Sequence, residues 1–225
     1  FACLPAKRRA GYCPVIIAID GPTASGKGTI SKELAKHFAL PFLDTGLLYR
    51  AVGWTVRENG TDADNPADAL AACNFDSALL GDPALRSEAV GGLASRVSVH
   101  PEVRSALHKR QIDFAYQPGG AVLDGRDIGT VIAPDADVKL FVTASADARA
   151  LRRFGEMKKR GELVNFSDIL ADIRKRDERD QSRATAPLKP AEDADLLDTT
   201  DLTIGDAILQ AIALVNAKIS RRTDK

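Results

Sequence analysis

Near the start of the chain, Gly21-Pro22-Thr23-Ala24-Ser25-Gly26-Lys27-Gly28-Thr29 meets the spacing G-x-x-x-x-G-K of a loop that cradles phosphate. Glycines there let the backbone take positive φ, so successive N–H groups can point inward at an anion. A helix opening at the end of the loop would add the favourable end of its dipole. Lys27 could then bridge the β- and γ-phosphates of a nucleoside triphosphate. The strict motif has Ser or Thr directly after the lysine. Here Gly28 intervenes before Thr29, which displaces the hydroxyl that would contact magnesium. A Gly-rich turn without a ligand is the alternative, and the apolar run before the loop and helical spacing after it argue against that.

The second concentration of chemistry is arginine: Arg50, Arg104, Arg126 beside Asp124 and Asp127, then Arg176, Arg179 and Arg183. Arg176, Asp180 and Arg183 stand at i, i+4 and i+7, so they share a helix face. Like charges so spaced cost a few tenths of a kcal/mol (about 0.2–0.5) unless anions fill the gap. The interleaved Asp177, Glu178 and Asp180 leave a solvated, salt-bridged helix as the alternative. A mobile cover that brings positive charge onto a transferring phosphoryl group and excludes water would use such an array. A nucleoside monophosphate is a fitting acceptor, because its second phosphate pKa near ~6 makes it mostly a dianion at neutral pH. It then needs no general base, in a chain without an evident catalytic histidine. The base-reading N-K-x-D motif of GTPases is absent.

The segments that must hold these groups alternate between strand and helix patterns. Val15-Ile16-Ile17-Ala18-Ile19 is a continuous apolar run suited to a strand buried on both faces. Ile30, Leu34 and Phe38 form a helical stripe after the loop, Phe42-Leu43 leads to Asp44, and a second helix is expected over 47–57. Further strands are expected at 121–123, 138–142 and 196–197, with a helical stretch over 147–183 broken around 161–166. Thr203-Ile204-Gly205-Asp206 reads as a weak capping box before Ile208, Ile212, Val215 and Ile219. The pattern predicts an α/β fold with a doubly wound, five-stranded parallel sheet and ligands at the carboxyl ends of its strands.

Length and composition fit one domain, or one with an insert: 225 residues, 44% hydrophobic and 28% charged. Residues 1–13 are expected to be a tail and 14–225 a single domain. The 31 basic and 31 acidic residues cancel, which argues against a surface that is wholly a nucleic-acid or membrane footprint. Residues 149–189 nevertheless hold twelve Lys and Arg against seven acids. A nucleotide sensor or nucleic-acid binder using that stretch is opposed by the acids and by 5% aromatic content. Three cysteines and three histidines are too scattered for a disulfide framework or a zinc site. No apolar run nears the ~18 residues of a membrane span, and 15–19 is too short for a signal-peptide core. A cytoplasmic location and a monomer are the expectations.

Four motifs occur in order: the Gly-Lys-Gly-Thr loop ending; Leu43-Asp44-Thr45-Gly46 with Tyr49-Arg50; Asp124-Gly125-Arg126-Asp127-Ile128-Gly129-Thr130-Val131 with Pro134-Asp135-Ala136; and Arg176-Asp177-Glu178-Arg179-Asp180 with Arg183, Ala186-Pro187-Leu188 and Asp198-Thr199-Thr200. Together they resemble the bacterial cytidylate kinases over about 15–219. The resemblance implies the P-loop nucleoside monophosphate kinase fold, with core 14–58, 93–148 and 190–219, a monophosphate-binding insert 59–92 and a helical lid 149–189. It implies transfer of the ATP γ-phosphoryl to CMP or dCMP with Mg2+, supplying nucleic-acid precursors, with ATP on Gly21 to Thr29. The acceptor phosphate would lie near Arg50 and Arg126, the lid would supply Arg176 and Arg183, and Thr45 would be a further phosphate donor beside Tyr49. Asp180 would contact the ribose, and Ser95, Arg104 and Asp127 would read cytosine. Asp127 has independent support: a carboxylate accepts from the cytosine N4 amino group but would face the uracil O4 acceptor, a difference of about 1–3 kcal/mol. Asp124 would join Thr29 near the metal, or cap a turn. The insert departs from the family pattern, since 74–92 is short, rich in Ala, Leu and Gly and poor in alternating β-branched residues. A related kinase preferring UMP is the rival reading.

Overall fold

The computed structural model describes residues 15–223, so the expected tail 1–13 lies outside the described residues, as do Cys3 and Cys13. Five strands form one all-parallel sheet in the order β2-β3-β1-β4-β5: β1 Val15–Asp20, β2 Phe42–Asp44, β3 Gly120–Gly125, β4 Val138–Thr143 and β5 Asp195–Asp198. The expected fold class holds, and each of the five sequence-predicted strands forms within two residues of its expected bounds.

β1 is the centre of the sheet and is buried on both faces. Ile17 and Ile19 look toward α1 (Lys27–His37) and α8 (Ile204–Thr223), through Ile30, Leu34, Ala207, Ala211 and Val215. Ala18 looks the other way, to Ala121, Leu123, Ala115 on α5 (Pro101–Ala115) and Ile128. This two-sided apolar demand is why the strand reads as an unbroken apolar run rather than an alternating one.

Away from the sheet, a third cluster joins α2 (Thr45–Glu58) to α3 (Pro66–Ala71), α4 (Glu88–Val97) and α5, with Val52, Val56, Leu85, Val90, Val97 and Leu107 buried. Residues 59–92 form helix α3, the 3-10 turns Ser77–Gly81 and Pro83–Arg86, and the start of α4, and carry no strand. The aspartate richness of the segment has a local use: Asp76 and Asp82 accept the N–H of Ala78 and Ala84, and Asn65 caps α3 before Pro66. Helices α2 and α4 cross closely because position 53 is glycine; a Cβ there would stand 2.8 Å from Leu93 Cβ.

α6 (Ala146–Lys159) and α7 (Phe166–Ser182) pair through Ala150, Met157, Ile169 and Ile173, with Phe154 edge-on to Phe166. Buried Arg149 roots this hairpin. It donates to Ala144 O at 2.9 Å and to Thr23 O at 3.3 Å, and pairs with Asp177 of α7 at 2.9 and 2.6 Å.

Leu34 is fully buried between α1 and the sheet. Leu34→Ala should therefore lower unfolding stability by about 2–5 kcal/mol, measured by urea denaturation with an unchanged m-value. A loss below about 1 kcal/mol would contradict tight packing of α1 on β1.

Candidate active site

The phosphate loop leaves β1 and enters α1. Gly21 passes so close to β4 that a Cβ would sit 2.0 Å from Val142 O, and Gly26 caps α1 in the left-handed region at φ +88°. Ser25 closes the loop on itself, donating to Pro22 O at 3.1 Å, while Thr199 Oγ1 donates to Ser25 O at 2.9 Å. Lys27 opens α1 and is largely buried, which lowers its pKa, while Asp124 Oδ1 lies 3.4 Å from its Nζ. A side chain at position 28 would bring Cβ within 3.3 Å of Asp124 Oδ2, so the glycine that departs from the strict motif makes room for this carboxylate.

A cavity of about 240 Å³ opens at the carboxyl ends of β1 and β3. Every residue expected to bind the acceptor lines it: Thr45, Tyr49, Arg50, Ser95, Arg104, Arg126, Asp127, Asp180 and Arg183. Thr23, Lys27, Asp124 and Arg176 line it too, so the phosphate loop, the end of β3 and the α6–α7 hairpin meet there. The strand end fixes Arg126 and Asp127, the α2–α4 crossing brings Arg50 to Ser95, and α7 contributes the arginines.

Each arginine has a carboxylate or carbonyl partner. Arg126 Nε donates to Asp180 Oδ2 at 2.9 Å; burial opposes its charge, yet Asp180 holds its pKa above the usual value. Arg50 donates to Leu85 O at 2.7 Å and Ser87 O at 2.9 Å, and burial followed by the charge of Arg176 lowers its pKa to about 10. Asp127 pairs with Arg104 through Oδ2 and lies 3.8 Å from Arg183 through Oδ1. Burial, then the neighbouring Arg104, lowers the Arg183 pKa. Arg183 Nε donates to Ala186 O at 2.6 Å. Ser95 Oγ accepts from Arg179 at 2.7 Å. Thr45 differs from expectation in one respect: its hydroxyl donates to Asp124 O at 2.8 Å. A phosphate at that helix start would meet the N–H groups of the first turn of α2 rather than this hydroxyl proton.

A family model described as cytidylate kinase matches residues 17–217. The chain belongs to the cytidylate kinase family. A cytidylate kinase of Xanthobacter autotrophicus is 55% identical over 208 residues, covering 92% of this chain and all of that protein. One from Mesorhizobium japonicum is 52% identical, covering 92% and 96%. A gluconokinase from Sinorhizobium meliloti shares the fold at 14% identity, with a TM-score of 0.51 over 94% of this chain and 98% of its own. This family member is thus a kinase.

Reading by sequence missed several residues. Arg152 and Arg153 of α6 join Ala24 to Thr29, Leu202 and Ile204 around a second cavity of about 490 Å³, and Arg152 donates to Thr199 Oγ1 at 3.0 Å. Thr29, exposed on α1, lines this cavity and not the acceptor cavity. Their signal was the basic surplus of 149–189, which did not separate facing from solvated arginines. Glu88, at the start of α4, was also missed: it pairs with Arg153 and with Arg176, the latter at 2.5 Å. Arg176 is also held by Asp172 at 2.9 Å.

No group of three or more His, Cys, Asp or Glu poised for a metal occurs among the described residues. Asp124 could still hold one: its Oδ1 is buried with the Lys27 ammonium 3.4 Å away and no well-formed hydrogen bond, and burial pushes its pKa up, which a further cation would relieve. A magnesium ion bound to one carboxylate, phosphate oxygens and water suits that donor set.

Glu88 thus pairs with two arginines at once, sharing Arg176 with Asp172 and Arg153 with Glu156. Glu88→Gln should lower the thermal midpoint in phosphate-free buffer, a loss of about 1–3 kcal/mol. Added inorganic phosphate should restore more of that midpoint than it adds to the wild type. A midpoint indifferent to the substitution would remove Glu88 from this network.

Proposed function

We propose that the chain transfers the γ-phosphoryl group of ATP to CMP or dCMP, giving (d)CDP and ADP, and so supplies pyrimidine nucleotides for nucleic-acid synthesis in the cytoplasm. The observation that carries this is one cavity lined at one end by Lys27 of the phosphate loop and at the other by Asp127 between two arginines. Kinship with proteins named cytidylate kinase at about half identity supports the same reading.

In this reading ATP lies on Gly21, Pro22, Thr23, Ala24, Ser25, Gly26, Lys27, Gly28 and Thr29. The loop N–H groups hold the phosphates, and Lys27 stays with the phosphoryl group as charge moves from donor to acceptor. Arg50 and Arg126 bind the acceptor phosphate with Thr45 at the start of α2. Arg176 and Arg183, released from their carboxylates, neutralise the transferring group. The acceptor dianion attacks without a general base, so the work of the protein is alignment, charge neutralisation and exclusion of water. Asp180 takes the ribose beside Tyr49, and Asp127, oriented by Arg104 and helped by Ser95, accepts from the cytosine amino group. Asp124, with Thr29, would hold Mg2+, which would neutralise β- and γ-phosphate charge.

A coupled assay of ADP release with CMP, dCMP, UMP, AMP and dTMP tests this. CMP and dCMP should be turned over fastest. No turnover with any of them would sink the kinase reading, and faster turnover of UMP than CMP would sink the cytosine assignment. Asp127→Ala should cut the CMP-over-UMP preference by roughly 5- to 150-fold while lowering UMP turnover less. Equal losses on both substrates would make Asp127 structural rather than base-reading.

A further inference from the structure

Asp20 ends β1, directly before the phosphate loop, and has no part in the chemistry above. It is buried in a strand whose other side chains are all apolar, and it does not line the acceptor cavity. Its backbone is in register with Gly125 of β3. One carboxylate oxygen accepts the N–H of Ile128 at 2.8 Å, and the other accepts the N–H of Gly129 at 2.8 Å. A single residue therefore grips the chain on both sides of Arg126 and Asp127: at Gly125 by strand pairing, and at Ile128 and Gly129 by its side chain.

Those two N–H groups open the π-helical turn Ile128–Ile132, and Asp127, which precedes it, makes no side-chain cap. Asp20 supplies that cap from another strand, and leaving two buried donors unpaired would be costly. The charged carboxylate also carries a cost of its own. Burial pushes its pKa up to about 7 from the ordinary 3.8, against the lowering effect of both N–H groups, and the charges of Asp127 and Asp124 add to the rise. An acid whose folded pKa lies above its unfolded one makes the fold less stable as pH rises between those values.

We propose that Asp20 is a positioning residue for acceptor recognition, clamping the turn beyond Asp127 so that Arg126 and Asp127 face the cavity before any nucleotide binds. The proposal rests on the acceptor roles assigned to those two residues. Through it the strand that launches the ATP-binding loop also sets the geometry of the acceptor site. An asparagine at this position could accept only one of the two N–H groups, and its own amide would confront the other.

Asp20→Asn and Asp20→Ser, checked for folding by circular dichroism, should raise KM for CMP about tenfold while KM for ATP stays within about twofold. The CMP-over-UMP preference should fall with it. Equal rises in both KM values, or an unchanged KM for CMP, would overturn the positioning role while leaving the kinase reading intact. Wild-type protein inactive on every monophosphate would overturn both. Should neither variant fold, amide exchange on the wild type decides: the Ile128 and Gly129 amides should be protected before nucleotide is added, and protection only after CMP addition would overturn the clamp.

Discussion

The structure depends on keeping a crowd of guanidinium groups buried and charged. Arg50, Arg126, Arg176 and Arg183 converge on one cavity with Lys27, and burial lowers the pKa of Arg50, Arg176, Arg183 and Lys27. Such a cluster is tolerable only if each charge has a partner within reach. Asp180, Asp127, Glu88, Asp172 and Asp124 are those partners. Binding of an anion is then an exchange of partners rather than the filling of an uncompensated hole. The free energy gained on binding is a difference between two well-satisfied states.

The fold divides this task by rigidity. Groups that must hold position stand at the start of α1, on β3 or directly after it: Lys27, Asp124, and Arg126 with Asp127. Arg176, Asp180 and Arg183 stand on a helical hairpin with its own small core. Arg149 joins the two regimes, since the same guanidinium touches Thr23 O in the phosphate loop and Asp177 on α7. One side chain thus ties the loop to the root of the hairpin.

What was legible in the sequence follows the same division. The apolar run of β1, the glycine loop and the stripe of α1 are local patterns. Residues of four ordered motifs line one cavity. Glu88, Arg152 and Asp20 were not legible, because each acts through partners far away in the chain: Arg176, Thr199 and Ile128. No periodicity encodes such a pairing. A lone acid between an apolar run and a glycine loop reads as a turn residue, and only the register of β1 on β3 reveals two buried N–H groups in front of it. Thr45 shows the converse limit: its type suggested a hydroxyl donor, and its partner Asp124 O takes that proton.

If Asp127 reads the base and Arg183 neutralises phosphate, as proposed, the two tasks are tied through one ion pair, and this constrains specificity. Asp127 stands between Arg104 and Arg183, so its carboxylate is aimed by two cations, one of which directly follows α7. An acceptor with an amino group opposite Asp127 would let that arrangement persist. An acceptor with a carbonyl there sets two oxygen acceptors face to face, and relief requires Asp127 to turn toward Arg104 or Arg183. Turning toward Arg183 would strengthen the grip on the very arginine that must be free for the phosphoryl group. Rejection of the wrong base would then appear in the chemical step as well as in binding, because the misplaced carboxylate competes for transition-state charge.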